Sequence, residues 1–262
     1  MTHPLDKPEV VNNLFYPRKA HANTHPDKDI IKDGSVKIDD TVSLGYRLYL
    51  NHSSAPILLY FHGNGEIVTD YESFASLYHQ VGVSLLVVDY RAYGWSTGTP
   101  STTQLLPDAQ KVLDSMDTIL KDCGVVPGRD IFLMGRSLGS APAIYLAMTS
   151  PDKLKGIIIE SGYADAPSLF RRLGIPIPEN IKDDPTLPIN NDEKMKKVTI
   201  PTLVIHGERD VLIPVTHGHT LYENAAAENK TLVTIPGAGH NDVAFKDMTR
   251  YFGTIKQFIE AH

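Results

Sequence analysis

Six short apolar runs recur along the chain, and each has the length of a β-strand. They lie at residues 56–61, 83–90, 130–135, 154–160, 201–206 and 230–235. Their apolar positions are nearly continuous rather than alternating, as is typical of strands that are covered on both faces. The pattern therefore predicts a mostly parallel sheet that is buried between layers of helices.

Segments with helical periodicity separate most of these runs. They lie at residues 69–80, 103–122, 138–149, 215–227 and 242–260. An earlier pair of segments, 35–39 and 45–50, is typical of an antiparallel hairpin at one edge of a sheet. Together these elements predict an α/β fold, with a mostly parallel central sheet and helices on both faces, as one domain over residues 1–262.

Residues 163–198 break this alternation, because the segment contains several prolines and lies between two strong strand patterns. Loops of this length are uncommon in compact domains unless they are functional. We expect a small cap here, over the carboxyl ends of the strands, where open α/β sheets bind their ligands. The alternative is an irregular surface excursion.

The motif Gly135-Arg136-Ser137-Leu138-Gly139 directly follows a predicted strand and directly precedes a predicted helix. A G-x-S-x-G sequence in that context indicates a tight strand-to-helix turn that exposes a serine hydroxyl above the sheet. Ser137 is thus a candidate nucleophile. A five-residue pattern also arises by chance, but the flanking strand and helix argue against a simple turn.

A serine hydroxyl is a weak nucleophile at neutral pH and needs an imidazole base that an acid orients. Asp210 follows the strand at 201–206, and His240 follows the strand at 230–235. All three residues follow strands whose carboxyl ends meet at one edge of the sheet. The spacing predicts a catalytic triad of Ser137, His240 as general base and Asp210 as the acid that orients it.

An oxyanion needs backbone N–H donors, one from the residue after the nucleophile and one from the loop after an earlier strand. Leu138 and Asn64 occupy those positions. Asn64 lies between two glycines, which allow the main chain to turn and face its amides inward. We expect Asn64 and Leu138 to form the oxyanion hole, with Gly65 as an alternative to Asn64.

Composition narrows the class of protein. The formal net charge is −6, and no run of Lys and Arg is long enough to bind a phosphate backbone, so nucleic acid is not an expected partner. No apolar run approaches the length that spans a bilayer, so stable membrane insertion is not expected. The single cysteine, Cys123, excludes an intrachain disulfide, and the first residues show no secretory signal. We expect a cytoplasmic protein.

Five motifs and one short N-terminal sequence resemble the α/β-hydrolase superfamily, most of all the small-capped group of alpha/beta-hydrolase-domain depalmitoylases and their microbial relatives. The carriers are Phe15-Tyr16-Pro17-Arg18, His62-Gly63-Asn64-Gly65-Glu66, Asp89-Tyr90-Arg91-Ala92-Tyr93-Gly94, Gly135-Arg136-Ser137-Leu138-Gly139, Ile200-Pro201-Thr202-Leu203-Val204-Ile205-His206-Gly207 and Gly237-Ala238-Gly239-His240-Asn241-Asp242. The resemblance implies the same triad and adds acylated proteins as a substrate class. One departure is that residues 1–16 contain no cysteine, whereas the membrane-bound depalmitoylases carry a lipidated, cysteine-rich N-terminal segment.

Several other polar residues allow two interpretations. Glu160 also ends a predicted strand and is the alternative acid if Asp210 is misplaced. Glu66 and Arg136 either form a pair beneath the nucleophile turn or remain solvated separately. His62 and His206 are expected to be hydrogen-bonded structural histidines rather than bases.

The function that these residues predict is hydrolysis of a small carboxylic ester or thioester by a serine hydrolase, through an acyl-enzyme. No cofactor is expected. No metal is expected either, because the pair His217-Gly218-His219 has a spacing of two and no carboxylate or third histidine accompanies it at metal-ligand spacing. A peptidase of the same fold and a non-catalytic binding protein are the alternatives.

Overall fold

A computed structural model describes residues 3–22, 29–181, 184 and 187–262. Within these residues, eight strands form one sheet in the order β1-β2-β4-β3-β5-β6-β7-β8. The strands are β1 (Ile31–Lys37), β2 (Ser43–Tyr49), β3 (Ile57–Phe61), β4 (Ser84–Val88), β5 (Ile131–Arg136), β6 (Gly156–Glu160), β7 (Thr202–Gly207) and β8 (Lys230–Ile235). β1, β2 and β4 pair antiparallel, and all the other neighbours pair parallel. The predicted α/β fold and its edge hairpin are confirmed.

Ten α-helices accompany the sheet in the described part of the chain. They are α1 (Pro8–Leu14), α2 (Ala75–Val81), α3 (Leu105–Asp114), α4 (Met116–Asp122), α5 (Ser140–Thr149), α6 (Ala166–Leu173), α7 (Asp192–Met195), α8 (Val215–Asn224), α9 (Val243–Lys246) and α10 (Met248–Ala261). None of the helices in the described ranges is long and apolar enough to cross a membrane.

Two of the predicted helices are each divided by one polar residue. Between α3 and α4, the Ser115 hydroxyl donates to the Lys111 carbonyl at 2.8 Å, a local bond that competes with the regular helical ladder. Between α9 and α10, Asp247 adopts a non-helical backbone and its carboxylate accepts from the Arg250 amide at 3.0 Å. Asp247 therefore begins a new helix as its N-cap.

The apolar side chains of the sheet lie in two layers, one on each face. Leu59 and Leu133 belong to the layer that contains the buried face of α5. Leu58 and Phe132 belong to the opposite layer, with the buried side chains of α2 and α10. Because both faces are covered, the strands have no polar face, which explains their continuous apolar runs.

Residues 163–198 contain α6, a 3-10 turn at Glu179–Ile181 and α7. Phe170, Leu187 and Met195 are buried in the same apolar layer as α5. The Asn191 amide donates to the Ala164 carbonyl at 2.9 Å and so joins the two ends of the segment. Residues 182, 183, 185 and 186 of the predicted cap lie outside the described residues.

Candidate active site

Ser137 lies on a sharp turn between β5 and α5. Its φ angle is 51°, in the left-handed region that residues with a side chain rarely adopt. A 3-10 turn at Ser137–Gly139 leads directly into α5, so the serine sits at the amino end of that helix. The strained backbone holds the hydroxyl above the carboxyl edge of the sheet, as the motif predicts.

The two glycines of the motif are required by close packing. A side chain on Gly139 would collide with the Phe61 carbonyl at the end of β3, and one on Gly135 would collide with the Gly139 carbonyl. The turn therefore packs against the end of the neighbouring strand with no room for a methyl group. The sequence motif reflects this backbone contact.

Replacing Gly139 by Ala is expected to lower the free energy of unfolding by about 1–3 kcal/mol, because the new methyl group forces the turn away from β3. Urea denaturation checks this value. Gly253→Ala is the matched control, because a Cβ at Gly253 in α10 meets no atom within 4 Å. That control should raise the free energy of unfolding by up to about 1 kcal/mol. Equal stability of both variants would contradict the packing argument.

The structure brings Ser137, His240 and Asp210 together in one hydrogen-bonded chain. His240 Nε2 lies 3.0 Å from Ser137 Oγ, and His240 Nδ1 lies 2.7 Å from Asp210 Oδ2. All three residues are buried, with exposed fractions of 5–8%. Since an ionised carboxylate accepts the Nδ1 proton, Nε2 is left with a lone pair that faces the serine hydroxyl. This arrangement can activate the hydroxyl as a nucleophile.

Asp210 is surrounded by donors. The Leu212 and Ile213 amides donate to its Oδ1 at 2.9 and 2.8 Å, and His206 Nε2 lies 3.4 Å from its Oδ2. Burial alone would raise the pKa of the Asp210 carboxyl, but the hydrogen bonds from His206, His240 and the Ile213 amide hold that pKa well below its usual range. The carboxylate is therefore ionised at neutral pH. The contact with His206 was missed by the sequence analysis, which treated this histidine separately.

The two residues predicted for the oxyanion hole lie at the expected chain positions. Leu138 is in the first turn of a helical segment, where the amide has no partner within the helix. Asn64 follows β3 in a tight loop in which the Gly63 amide donates to the Glu66 carboxylate at 2.9 Å. Gly65, the alternative donor, has a φ of 79°.

The side chain of Asn64 has a separate role that the sequence analysis missed. Its Nδ2 donates to the Leu14 carbonyl at 2.6 Å, and its Oδ1 accepts from the Tyr16 amide at 3.0 Å and from the Tyr93 hydroxyl at 2.6 Å. Arg18 donates to the Gly65 carbonyl at 3.1 Å. The N-terminal sequence Phe15-Tyr16-Pro17-Arg18 therefore lies against the loop that carries the Asn64 amide, and the Asn64 side chain is engaged in these contacts.

Arg136 and Glu66 form an ion pair, as the first of the two interpretations predicts, and are not solvated separately. Glu160 also lies beside Arg136, with Oε1 3.4 Å from Nε, and it accepts from the Tyr251 hydroxyl at 2.6 Å. Burial raises the pKa of the Glu160 carboxyl, whereas Arg136 lowers it less. Glu160 contributes to a buried cluster behind Ser137, while Asp210 occupies the position beside the imidazole.

The other histidines near the site have backbone partners. His62 is fully buried, with Nδ1 2.8 Å from the Gly63 carbonyl and Nε2 3.2 Å from Asp89 Oδ1. His206 Nε2 donates to the Ile213 carbonyl at 2.8 Å. Across the described ranges, no group of three or more His, Cys, Asp or Glu side chains could hold a metal ion.

The family profile named Hydrolase_4, described as serine aminopeptidase S33, matches residues 52–178 and 190–243. The chain belongs to the Hydrolase_4 family. It is therefore a member of the α/β-hydrolase superfamily, and the resemblance seen in the motifs is confirmed.

Individual relatives agree with the family. Human alpha/beta hydrolase domain-containing protein 17C is 32% identical over 211 residues, which cover 79% of this chain and 59% of that protein. An uncharacterized protein of Mycobacterium tuberculosis is 30% identical over 233 residues, 87% of this chain and 79% of that protein. The chain thus spans less than two thirds of the length of the domain-containing relatives that it matches, such as aho-3 of Caenorhabditis elegans at 57%.

Solved structures share the fold. An esterase of Pyrococcus furiosus superposes with a TM-score of 0.74 at 20% identity, over 94% of this chain and 98% of that one. Est1E of Butyrivibrio proteoclasticus superposes with a TM-score of 0.67 at 22% identity, over 87% of this chain and 98% of that one. At these identities the likeness establishes the architecture.

Proposed function

We propose that the protein is a serine hydrolase that cleaves carboxylic esters or thioesters through an acyl-enzyme. The observation that carries this proposal is the hydrogen-bonded chain from Ser137 Oγ to His240 and on to Asp210, with separations of 3.0 and 2.7 Å. Such a chain is the arrangement by which a buried base makes a serine hydroxyl nucleophilic at neutral pH.

In the proposed reaction, Ser137 Oγ attacks the carbonyl carbon of the substrate while His240 Nε2 accepts the hydroxyl proton. The imidazolium that forms is stabilised by the Asp210 carboxylate and then gives the proton to the departing alcohol or thiol. Water attacks the acyl-enzyme in the same way, and the serine is released with the acid product. The Leu138 and Asn64 amides are proposed to bind the developing oxyanion.

An ester or thioester substrate is favoured over a peptide by the charges near the serine. An aminopeptidase must bind the ammonium group of its substrate, for which an uncommitted carboxylate is suited. Glu66 and Glu160, the acidic side chains of the cluster behind Ser137, are instead engaged with Arg136. A purely non-catalytic binding protein would not need the strained serine turn or the buried Asp210–His240 pair.

The segment 163–198 is proposed to act as a small cap on a single domain. Its buried side chains join the apolar layer of α5, the helix that begins beside Ser137. A cap in this position would contribute to the pocket for the acyl or leaving group. The substrates proposed are small esters or thioesters, with acylated proteins as a second class that the resemblance to the depalmitoylases suggests.

The substrate class is tested with three sets of substrates: p-nitrophenyl esters of increasing chain length, acyl thioesters and aminoacyl anilides. We expect kcat/KM for the best ester or thioester to exceed that for any anilide by at least about tenfold, a difference of about 1.4 kcal/mol in transition-state binding. Ser137-dependent turnover that favours anilides would show a peptidase instead. A protein that turns over none of these substrates and is not labelled covalently by a fluorophosphonate would be a binding protein instead.

A further inference from the structure

Arg136 is the last residue of β5, and its side chain is buried behind the serine turn. Its Nη1 pairs with Glu66, which lies in the loop after β3, and its Nε faces Glu160 at the end of β6. Its Nη2 donates to the His240 carbonyl oxygen at 2.9 Å and to Asn241 Oδ1 at 2.9 Å. One guanidinium thus contacts the histidine loop through two hydrogen bonds.

We propose that Arg136 is a positioning residue for the reaction, which fixes the imidazole of His240 by holding the backbone of the histidine loop. The inference rests on the proposed function. The carbonyl that Arg136 binds belongs to His240 itself, so a shift of this carbonyl moves Nε2 relative to Ser137 Oγ. Because a misplacement of about 1 Å can lower a rate by about 10²-fold, a bond at this position matters for turnover.

The same guanidinium reaches the loop that carries the proposed oxyanion donor. Glu66 accepts from the Gly63 amide at 2.9 Å, and Gly63 is the residue before Asn64. Since Arg136 directly precedes Ser137, it joins three separate pieces of chain: the serine turn, the loop after β3 and the histidine loop. Beyond the ends of the strands, the backbone hydrogen bonds of the sheet no longer hold these segments together. A side chain that bonds to all three can fix their relative positions.

A guanidinium suits this task better than an ammonium group. Its planar fork donates in several fixed directions, whereas lysine carries its three donors on one nitrogen. Burial alone would lower the pKa of Arg136, but Glu66 and Glu160 raise that pKa above its ordinary value, so the group stays charged. Lysine at this position would keep the charge and lose the simultaneous reach to Glu66 and the His240 carbonyl.

A cavity of about 260 Å³ lies against the side chain of Arg136. Its lining includes Glu160, Asn241 and the aromatic rings of Tyr71 and Phe74. Removal of the arginine side chain would enlarge this space at the place where the guanidinium was held. A guanidinium ion from solution therefore has room to occupy the vacated position, which makes chemical rescue a direct test.

The experiment compares Arg136→Lys, Arg136→Ala and the matched control Arg47→Lys. Arg47 is also buried, at 1% exposed, and paired with two carboxylates, but it lies on β2. For Arg136→Lys we expect kcat to fall by about 10- to 100-fold, with KM within about threefold, because the side chain positions the base without touching substrate. Arg47→Lys should keep wild-type kinetics.

Guanidinium chloride at millimolar concentration should raise kcat of Arg136→Ala by at least about tenfold, whereas tetramethylammonium chloride should not.

Asn241→Ala is measured as well, since it removes the second bond from Nη2 to the histidine loop and leaves every charge in place. It therefore tests how Arg136 holds this loop even if Arg136→Ala fails to fold. A fall in its kcat of about threefold or more at unchanged KM supports the inference. Wild-type kcat in both Arg136→Lys and Asn241→Ala would overturn the inference, as would equal losses of kcat in Arg136→Lys and Arg47→Lys.

Fluorophosphonate labelling of wild type and Ser137→Ala is run on the same preparations. Labelling that requires Ser137, together with wild-type kcat in both Arg136→Lys and Asn241→Ala, rejects this inference alone, whereas labelling independent of Ser137 rejects the proposed function.

Discussion

Ser137→Ala is expected to abolish covalent labelling by fluorophosphonates and to lower ester turnover by about three orders of magnitude or more. The hydroxyl that lies 3.0 Å from His240 Nε2 is the group that would carry the phosphonyl or acyl group. The variant should fold, because Ser137 is buried and alanine occupies less space at the same backbone position. Activity-based labelling followed by kinetics on a p-nitrophenyl ester measures both effects.

Ser161→Ala is the matched control for this variant. Ser161 is also a buried serine with a left-handed backbone, at a φ of 46°, and it directly follows the neighbouring strand β6. Its hydroxyl has no hydrogen-bond partner among the described residues. The control should label fully and turn over within about threefold of wild type, since removal of this hydroxyl breaks no hydrogen bond. Labelling that persists in Ser137→Ala would show that another residue is the nucleophile.

The fold could be predicted from the sequence because its parallel strands are buried on both faces. β3 through β8 all appear as apolar runs at their predicted places, since a strand that is buried on both faces is apolar at nearly every position. The short helices α1, α6 and α7 were not predicted, because seven, eight and four residues are too few for helical periodicity to show. The breaks at Ser115 and Asp247 depend on local side-chain bonds that hydropathy does not record.

The parts of the site that follow the ends of strands could be predicted from the sequence. The side-chain bonds between residues that are distant in sequence could not. Ser137, Asp210 and His240 each follow a strand of the same sheet, so topology alone brings them to one edge. The bond from Arg136 to the His240 carbonyl spans 104 residues, and that from Asn64 to the Leu14 carbonyl spans 50. No local pattern encodes such contacts, since any of several polar side chains would look the same in the sequence.

Asp210→Asn is expected to lower kcat/KM by about four orders of magnitude, because an amide donor at this position favours the wrong tautomer of the base. Asp210 Oδ2 lies 2.7 Å from His240 Nδ1, so an asparagine NH₂ placed there would face the Nδ1 proton. The imidazole would then carry its proton on Nε2 and could not accept one from Ser137. Glu160→Gln is the matched control, because it also replaces a carboxylate by an amide. Its kcat/KM should fall by no more than about tenfold, since Glu160 bonds to Tyr251 and Arg136. The reverse ranking would identify Glu160 as the acid.

The pH dependence of stability gives a second measurement on Asp210→Asn. Because the pKa of Asp210 is depressed in the folded state, its contribution to stability is present above the ordinary aspartate pKa of about 3.9 and is lost as pH falls through the folded value. Urea denaturation should therefore show wild-type stability falling with pH below about 4, and a shallower slope in Asp210→Asn. Equal slopes below about pH 4 in wild type and in Asp210→Asn would contradict the depressed pKa of Asp210.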